Sequence, residues 1–300
     1  MPSITISDLL TIIFVMVDDW YQACGNKLLA GKVGKKPVFR DSEVITLVLA
    51  QDFIPYPAET QYLEFIRANY LPLFPKLVDQ SQFNRRARAL QFMIEELRRS
   101  WIVQKGWHLH TNYLLDTKPV PVLGYKRYKN HSDFAGNAEY GRCASRDLKY
   151  FGYKLVVLST LDGLPIVYEL VPANLDERLA AEAVIDYLGA CHIFADKGFL
   201  GAEWQACMFD QTQNRIWTPK RKNQFVQNSK VFDRWLSAMR ERIEGVFHEI
   251  QNTGRNLERL LAKTVSGLCA RVIAKMTSHL LRHLLRIDFN INVQTFRFSF

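Results

Sequence analysis

"HLHTNYLLDTKPVPVLG", residues 108–124, marks a change of character in this 300-residue chain. Tyr113, Leu114 and Leu115 are apolar in both alternation registers, which suits a central strand covered on both faces. The run ends on Asp116, and Pro119 and Pro121 bar any continuation as a helix. Downstream, "FGYKLVVLSTLDGLPIVYELVPAN" (151–174) reads as two strands around "LDGLP", an Asp-Gly hairpin signal. "LDERLAAEAVIDYLG" (175–189) predicts a helix, capped by Asn174 or Asp176 and stopped at Gly189. "ACHIFADKGFLG" (190–201) is a short buried strand closing on Asp196. A helix near 201–208, a strand in "NRIWTP" (214–219) and a basic loop "KRKNQFVQNSK" (220–230) follow. The helix containing "MRERIEGVFHEI" (239–250) comes next, then an amphipathic helix over about 256–286. The order β-β-β-α-β-α-β-α predicts an α/β (α+β) fold, a mixed sheet with helices packed on it.

Upstream of residue 108 the pattern is helical. Ser7 is a cap candidate for "SDLLTIIFVMVDDWYQAC", and Asp41 or Ser42 for "RDSEVITLVLAQDF". In "LPLFPKLVDQSQFNRRARALQFMIEELRRSW" the chain breaks at Pro72 and Pro75 and resumes at Ser81. Two helices joined by a turn, the second holding Arg85, Arg86 and Arg88, suit a helix-turn-helix reader of a DNA groove. A basic solvated helix in a bundle is the alternative. Charge supports a polyanion partner: net +9 overall, with basic blocks at 76–105, 118–154 and 215–242 and an acidic one at 155–214. Five scattered cysteines with no C-x-x-C pair argue for a reducing compartment and against a zinc or disulfide framework. His108/His110 and His279/His283 have no acidic or cysteine neighbour in sequence and read as surface or packing histidines. The apolar run Leu9–Val17 is too short to span a bilayer and lacks signal-peptide flanks, so a cytoplasmic protein with no membrane partner is expected.

The chemistry sits in three carboxylates. Asp116 and Asp196 each end an apolar strand, the place where ligands collect in open sheets. In the helix, Phe232, Leu236, Met239, Ile243, Val246, Phe247 and Ile250 share one apolar stripe. Glu241 points about 160° from Ile243, Glu249 about 120° to one side and Glu244 about 100° to the other. The wheel excludes Glu241 and prefers Glu244, with Arg240 on its edge. Carboxylates converging from two strands and a helix suit hard divalent cations, with Mg²⁺ shared between carboxylates and substrate phosphates.

These pieces, in order, resemble the insertion-sequence transposases of the DDE class, a branch of the RNase H-like nucleotidyltransferases. The matching stretches are "DSEVITL" (41–47), "FNRRARAL" (83–90), "LLDTKPV" (114–120), "KYFGYKLVVLSTLDGLP" (149–165), "VPANLDE" (171–177), "FADKGF" (194–199) and "RERIEGVF" (240–247). The carboxylates lie 80 and then 48 residues apart, the second gap too short for an inserted domain. The resemblance implies an RNase H-like catalytic domain over 106–290, a helical DNA-binding region over 1–105 and a tail over 291–300. It makes Asp116, Asp196 and Glu244 the metal-binding catalytic triad, and Arg240 the basic residue four positions before the glutamate. Two Mg²⁺ ions are implied, with Mn²⁺ able to substitute. Lys118, Lys197 and Arg240 are expected phosphate contacts, and Arg85, Arg86 and Arg88 further DNA contacts. The implied partners are double-stranded DNA, as terminal inverted repeats and target, and a second copy in a dimer or larger synaptic assembly on the nucleoid of a prokaryotic cell. Cleavage at the element end would free a 3′-hydroxyl to attack the target. Three positions depart from the family: Ser237 for Tyr, Gln251 for Lys and Val156 for His. The alternatives are a related nuclease without strand transfer and a catalytically inactive DNA-binding copy.

Overall fold

The computed structural model describes residues 4–29, 37–125, 130–143, 147–222, 224–293 and 295–296. The chain forms two compact units, Met1–Trp101 with Ile250–Phe300, and Ile102–Glu249.

The first unit is helical: α1 (Ile6–Ala23), α2 (Asp41–Ala50), α3 (Glu59–Tyr70), α4 (Gln80–Ala89), most of α5 (Gln91–Gln104), and α9 (Val265–Phe289). The cap of α1 is Thr5, whose hydroxyl accepts the Asp8 N–H at 3.1 Å, two residues before the expected Ser7. From there Leu9, Leu10, Ile13, Val17 and Trp20 form one buried stripe. By contrast α2 is buried all round, the mark of a central helix. α9 packs on α2 and is central too, buried over most of its length where the sequence predicts an amphipathic helix. Its polar residues find partners in the interior: Ser278 donates to the Leu49 carbonyl at 3.0 Å, and Lys275 and Arg282 both bind Asp52. The segment from Ile250 onward therefore groups with the N-terminal helices, whereas the expected catalytic block runs to 290. Residues 294 and 297–300 of the expected tail lie outside the described residues. Residues 71–79 separate α3 from α4, a longer connection than a helix-turn-helix uses.

Among the described residues the second unit holds a six-stranded sheet. Its strands are β1 (Asn112–Leu123), β2 (Glu139–Cys143), β3 (Leu148–Thr160), β4 (Pro165–Pro172), β5 (His192–Ala195) and β6 (Arg215–Trp217). The helices are α6 (Glu177–Ile185), α7 (Ala202–Thr212) and α8 (Lys230–Asn252). β4 pairs with β3, which pairs with β1, followed by β5 and β6; β3 is antiparallel to β1, and β5 and β6 run parallel with it. This is a mixed sheet with flanking helices. β2 joins the first half of β3 and was not foreseen, because "EYGRC" is mostly exposed and lacks alternating apolar residues. The "LDGLP" turn forms as expected, with Gly163 at φ +88°. Gly152 on β3 meets β1 so closely that a Cβ would lie 2.2 Å from the Val120 carbonyl oxygen, so only glycine fits. Among the described residues no helix is long and apolar enough to cross a membrane.

Candidate active site

The parallel ladder between β1 and β5 runs from Asn112↔His192 to Leu115↔Ala195. Asp116 and Asp196 are therefore each the next residue out, on strands that neighbour one another at about 4.8 Å. β1 does not end at Asp116, as its sequence suggests, but runs on to Leu123 with β3 as partner, Asp116 lying opposite Val157. The chain after Ala195 turns off through a short 3₁₀ turn, Lys197–Phe199. The two strands part at the two carboxylates. Pro119 and Pro121 fall in the half of β1 that no longer pairs with β5, where a missing N–H is tolerated.

Aromatic packing fixes α8 over this point. Trp235 meets Phe194 edge-on at 4.6 Å between ring centroids, Phe232 meets Trp217 at 5.4 Å, and Phe232 stacks on Trp235. Farther along, Arg242 donates to the Leu161 carbonyl at 3.1 Å, and Val246 lies close to Gly163. Between these anchors Arg240 reaches Asp196 at 3.1 Å and Glu244 at 3.8 Å. Arg240 thus links Glu244, one turn along the same helix, to Asp196, while Glu241 faces solvent.

Asp116 is the most perturbed acid of the site. Burial pushes its carboxyl up to about 7, with Asp196 and Glu177 adding to the rise, against the Thr117 N–H and Arg240. The Thr117 N–H donates to Asp116 Oδ1 at 2.7 Å. Three carboxylates with one arginine between two of them are an oxygen-donor set short of positive charge. That set fits a hard divalent cation. The linkage has a definite sign. A raised carboxyl stabilises the fold below its ordinary range, and that stability is lost as pH rises through about 7. Asp116→Asn should therefore raise the melting temperature of the metal-free protein at pH 8, by about 2–4 °C for each kcal/mol relieved, and change nothing near pH 4. Were Asp116 to ligate a metal it would have to lose its proton, so Mn²⁺ affinity would then fall about tenfold per unit as pH drops below the Asp116 value. Calorimetry across pH checks both.

Of the other expected contacts, Lys118 stands two residues beyond Asp116 on the same face of β1. Lys197 is exposed, and its backbone N–H donates to Asp196 Oδ1. Arg85, Arg86 and Arg88 belong to the helical unit and do not share one surface. Arg85 is exposed. Arg86 turns inward, pairing with Asp41 at 2.7 Å and donating to the Phe39 carbonyl. Arg88 lines a small cavity with Glu59, Arg255 and Arg271. A residue that sequence reasoning gave no role, Glu177 at the start of α6, accepts from the Thr117 hydroxyl at 3.3 Å. Its only sequence signal is its place in "VPANLDE".

Residues 108–259 match the family model described as a transposase DDE domain. No curated protein matches the chain. Among solved structures, the chain is similar to the Mos1 mariner paired end complex with Mn, at 15% identity and a TM-score of 0.23, covering 83% of this chain and 86% of that one. It is also similar to the Mos1 strand transfer complex, at 16% identity and a TM-score of 0.22, covering 93% of this chain and 87% of that one.

Proposed function

Because the chain belongs to the DDE-domain transposase family, we propose that it cuts DNA at the terminal inverted repeats of its own insertion sequence and joins the freed 3′-hydroxyl to target DNA. The observation that supports this reading is the β1–β5 register, which leaves Asp116 and Asp196 side by side, with Arg240 at 3.1 Å from Asp196 and 3.8 Å from Glu244. Asp116, Asp196 and Glu244 hold divalent ions, Mg²⁺ or Mn²⁺. When bound, such ions activate the attacking oxygen and stabilise the leaving one in an in-line phosphoryl displacement.

The chain's own residues do the rest. The two aspartates sit on paired strands, so their separation is set by the sheet and needs no reorganisation. Arg240 balances Asp196 and Glu244 before substrate arrives and offers donors to a phosphate afterwards. Lys118 and Lys197 hold the backbone on either side, offsetting the repulsion between DNA and a carboxylate cluster. In the helical unit Arg85 is the exposed arginine of α4 and the one positioned for a phosphate. Two element ends must meet, so a dimer or larger synaptic assembly is part of the proposal.

The test is incubation with Mg²⁺ and labelled duplexes carrying the inverted repeats that flank the reading frame. Cleavage followed by joining is expected. Cleavage without joining would indicate a nuclease, and binding alone an inactive copy.

A further inference from the structure

We propose that Glu177 is a positioning residue of the catalytic site, pinning β1 and the Asp196 turn to one another; the idea rests on the assignment of Asp116 and Asp196 above. Side chains alternate along a strand, so Thr117 points to the face opposite Asp116. There its hydroxyl donates to Glu177 Oε1 at 3.3 Å. The backbone N–H of the same threonine donates to Asp116 Oδ1 at 2.7 Å. One residue thus couples Glu177 to the Asp116 carboxylate.

The other Glu177 oxygen reaches the second strand exit. Oε2 fills the space where a side chain at position 198 would begin, since a Cβ on Gly198 would lie 1.7 Å from it. Gly198 belongs to the turn that opens on Asp196. Its glycine is there for room. Glu177 is held in turn by α6, which starts from Asp176, whose side chain accepts the Arg178 N–H at 2.9 Å. α6 packs on β3, on β4 and on the same turn. A first-turn glutamate that served only the helix dipole would face water. Glu177 instead is half-buried, with one oxygen on Thr117 in β1 and the other against Gly198 in the turn after Asp196. This gives "VPANLDE" a physical role: it delivers one carboxylate beneath the site.

The experiment is a Mn²⁺ titration of the DNA-free protein followed by electron paramagnetic resonance, with cleavage and joining measured in parallel. Residues that orient metal ligands are worth about ten- to a hundredfold in affinity or activity. Glu177→Ala should lose that much in both, with circular dichroism and DNA binding unchanged. Glu177→Gln keeps the length and an acceptor for Thr117, and should recover most of the loss. Gly198→Ala, whose Cβ displaces the carboxylate, should give a comparable loss independently. Thr117→Val combined with Glu177→Ala should be no worse than Glu177→Ala alone, because the two act as a unit. A folded Glu177→Ala protein with wild-type Mn²⁺ affinity would overturn the proposal. So would Glu177→Gln falling as far as Glu177→Ala, which would assign the effect to charge rather than contacts. Asp116→Asn is the control. If it loses the metal while Glu177→Ala does not, only the role of Glu177 fails. If neither loses it, the metal-site assignment fails.

Discussion

Asp116→Asn, Asp196→Asn and Glu244→Gln should each lower end cleavage and joining by about a thousandfold or more, with binding of the element-end duplex retained. Each change preserves side-chain shape and removes one anionic oxygen, so the loss reports charge and ligation rather than packing. Metal-borne stabilisation of a phosphoryl-transfer transition state is worth several kcal/mol, and about 4 kcal/mol corresponds to a thousandfold. Binding should hold or tighten, since every substitution removes a negative charge facing the DNA backbone. Within α8 the outcome also discriminates among glutamates. Arg240 connects Glu244 to Asp196 although the Glu244 side chain is 63% exposed, an exposure that leaves it free to take up a ligand. Glu241→Gln should cleave and join normally. An inactive Glu249→Gln beside an active Glu244→Gln would move the third ligand by more than one turn.

The second large effect lies in the helical unit and concerns stability. Asp52→Ala should cost about 3–5 kcal/mol, the range for breaking a buried ion pair. The Asp52 carboxylate is buried and accepts from Lys275 at 2.8 Å and from Arg282 at 3.0 Å, and Arg282 also donates to its backbone carbonyl at 2.7 Å. The partner side chains are only 1% and 4% exposed, so water cannot replace the lost anion. Burial already holds the Lys275 ammonium below its usual range, with Asp52 opposing that shift. Removing the aspartate strips away the opposing charge and leaves two cations in the interior. Lys275→Met, which removes one cation and keeps the stem, should cost less. Urea denaturation followed by circular dichroism measures both. A loss under about 1 kcal/mol for Asp52→Ala would mean that the network is not holding α2 and α9 together.

Local pattern was enough for the sheet and its aspartates. "HIFADKGF" shows an apolar strand terminating in a carboxylate, whereas the strand of "YLLDTKP" runs through Asp116 to Leu123; parallel pairing of the two strands leaves the residues adjacent. Most of the apolar stripe of α8 is buried as its periodicity implies, but Glu244 is exposed and Glu249 half-buried, so burial does not single out Glu244. What local pattern lacks is the identity of distant partners. Asp52 and Lys275 are 223 residues apart, so nothing local shows that the charges of α9 are neutralised inside. The same gap hid the grouping of the C-terminal helix with the N-terminal ones. β2 is held by its pairing with β3 and carries no apolar period of its own. Arg85, Arg86 and Arg88 looked like one basic face because Asp41, the partner of Arg86, lies in another helix. Glu177 had no role legible in the sequence, since its contact with Thr117 joins residues 60 apart in the chain.

The central claim is that Asp116, Asp196 and Glu244 form one metal site for DNA strand cleavage and joining. Anomalous diffraction from crystals of the protein with Mn²⁺ and an element-end duplex tests it most directly. The account predicts Mn²⁺ peaks where β5 parts from β1, ligated by Asp116 and Asp196, with Glu244 completing the protein ligands. Peaks absent from that point, or a third ligand supplied by Glu249 instead of Glu244, would contradict it.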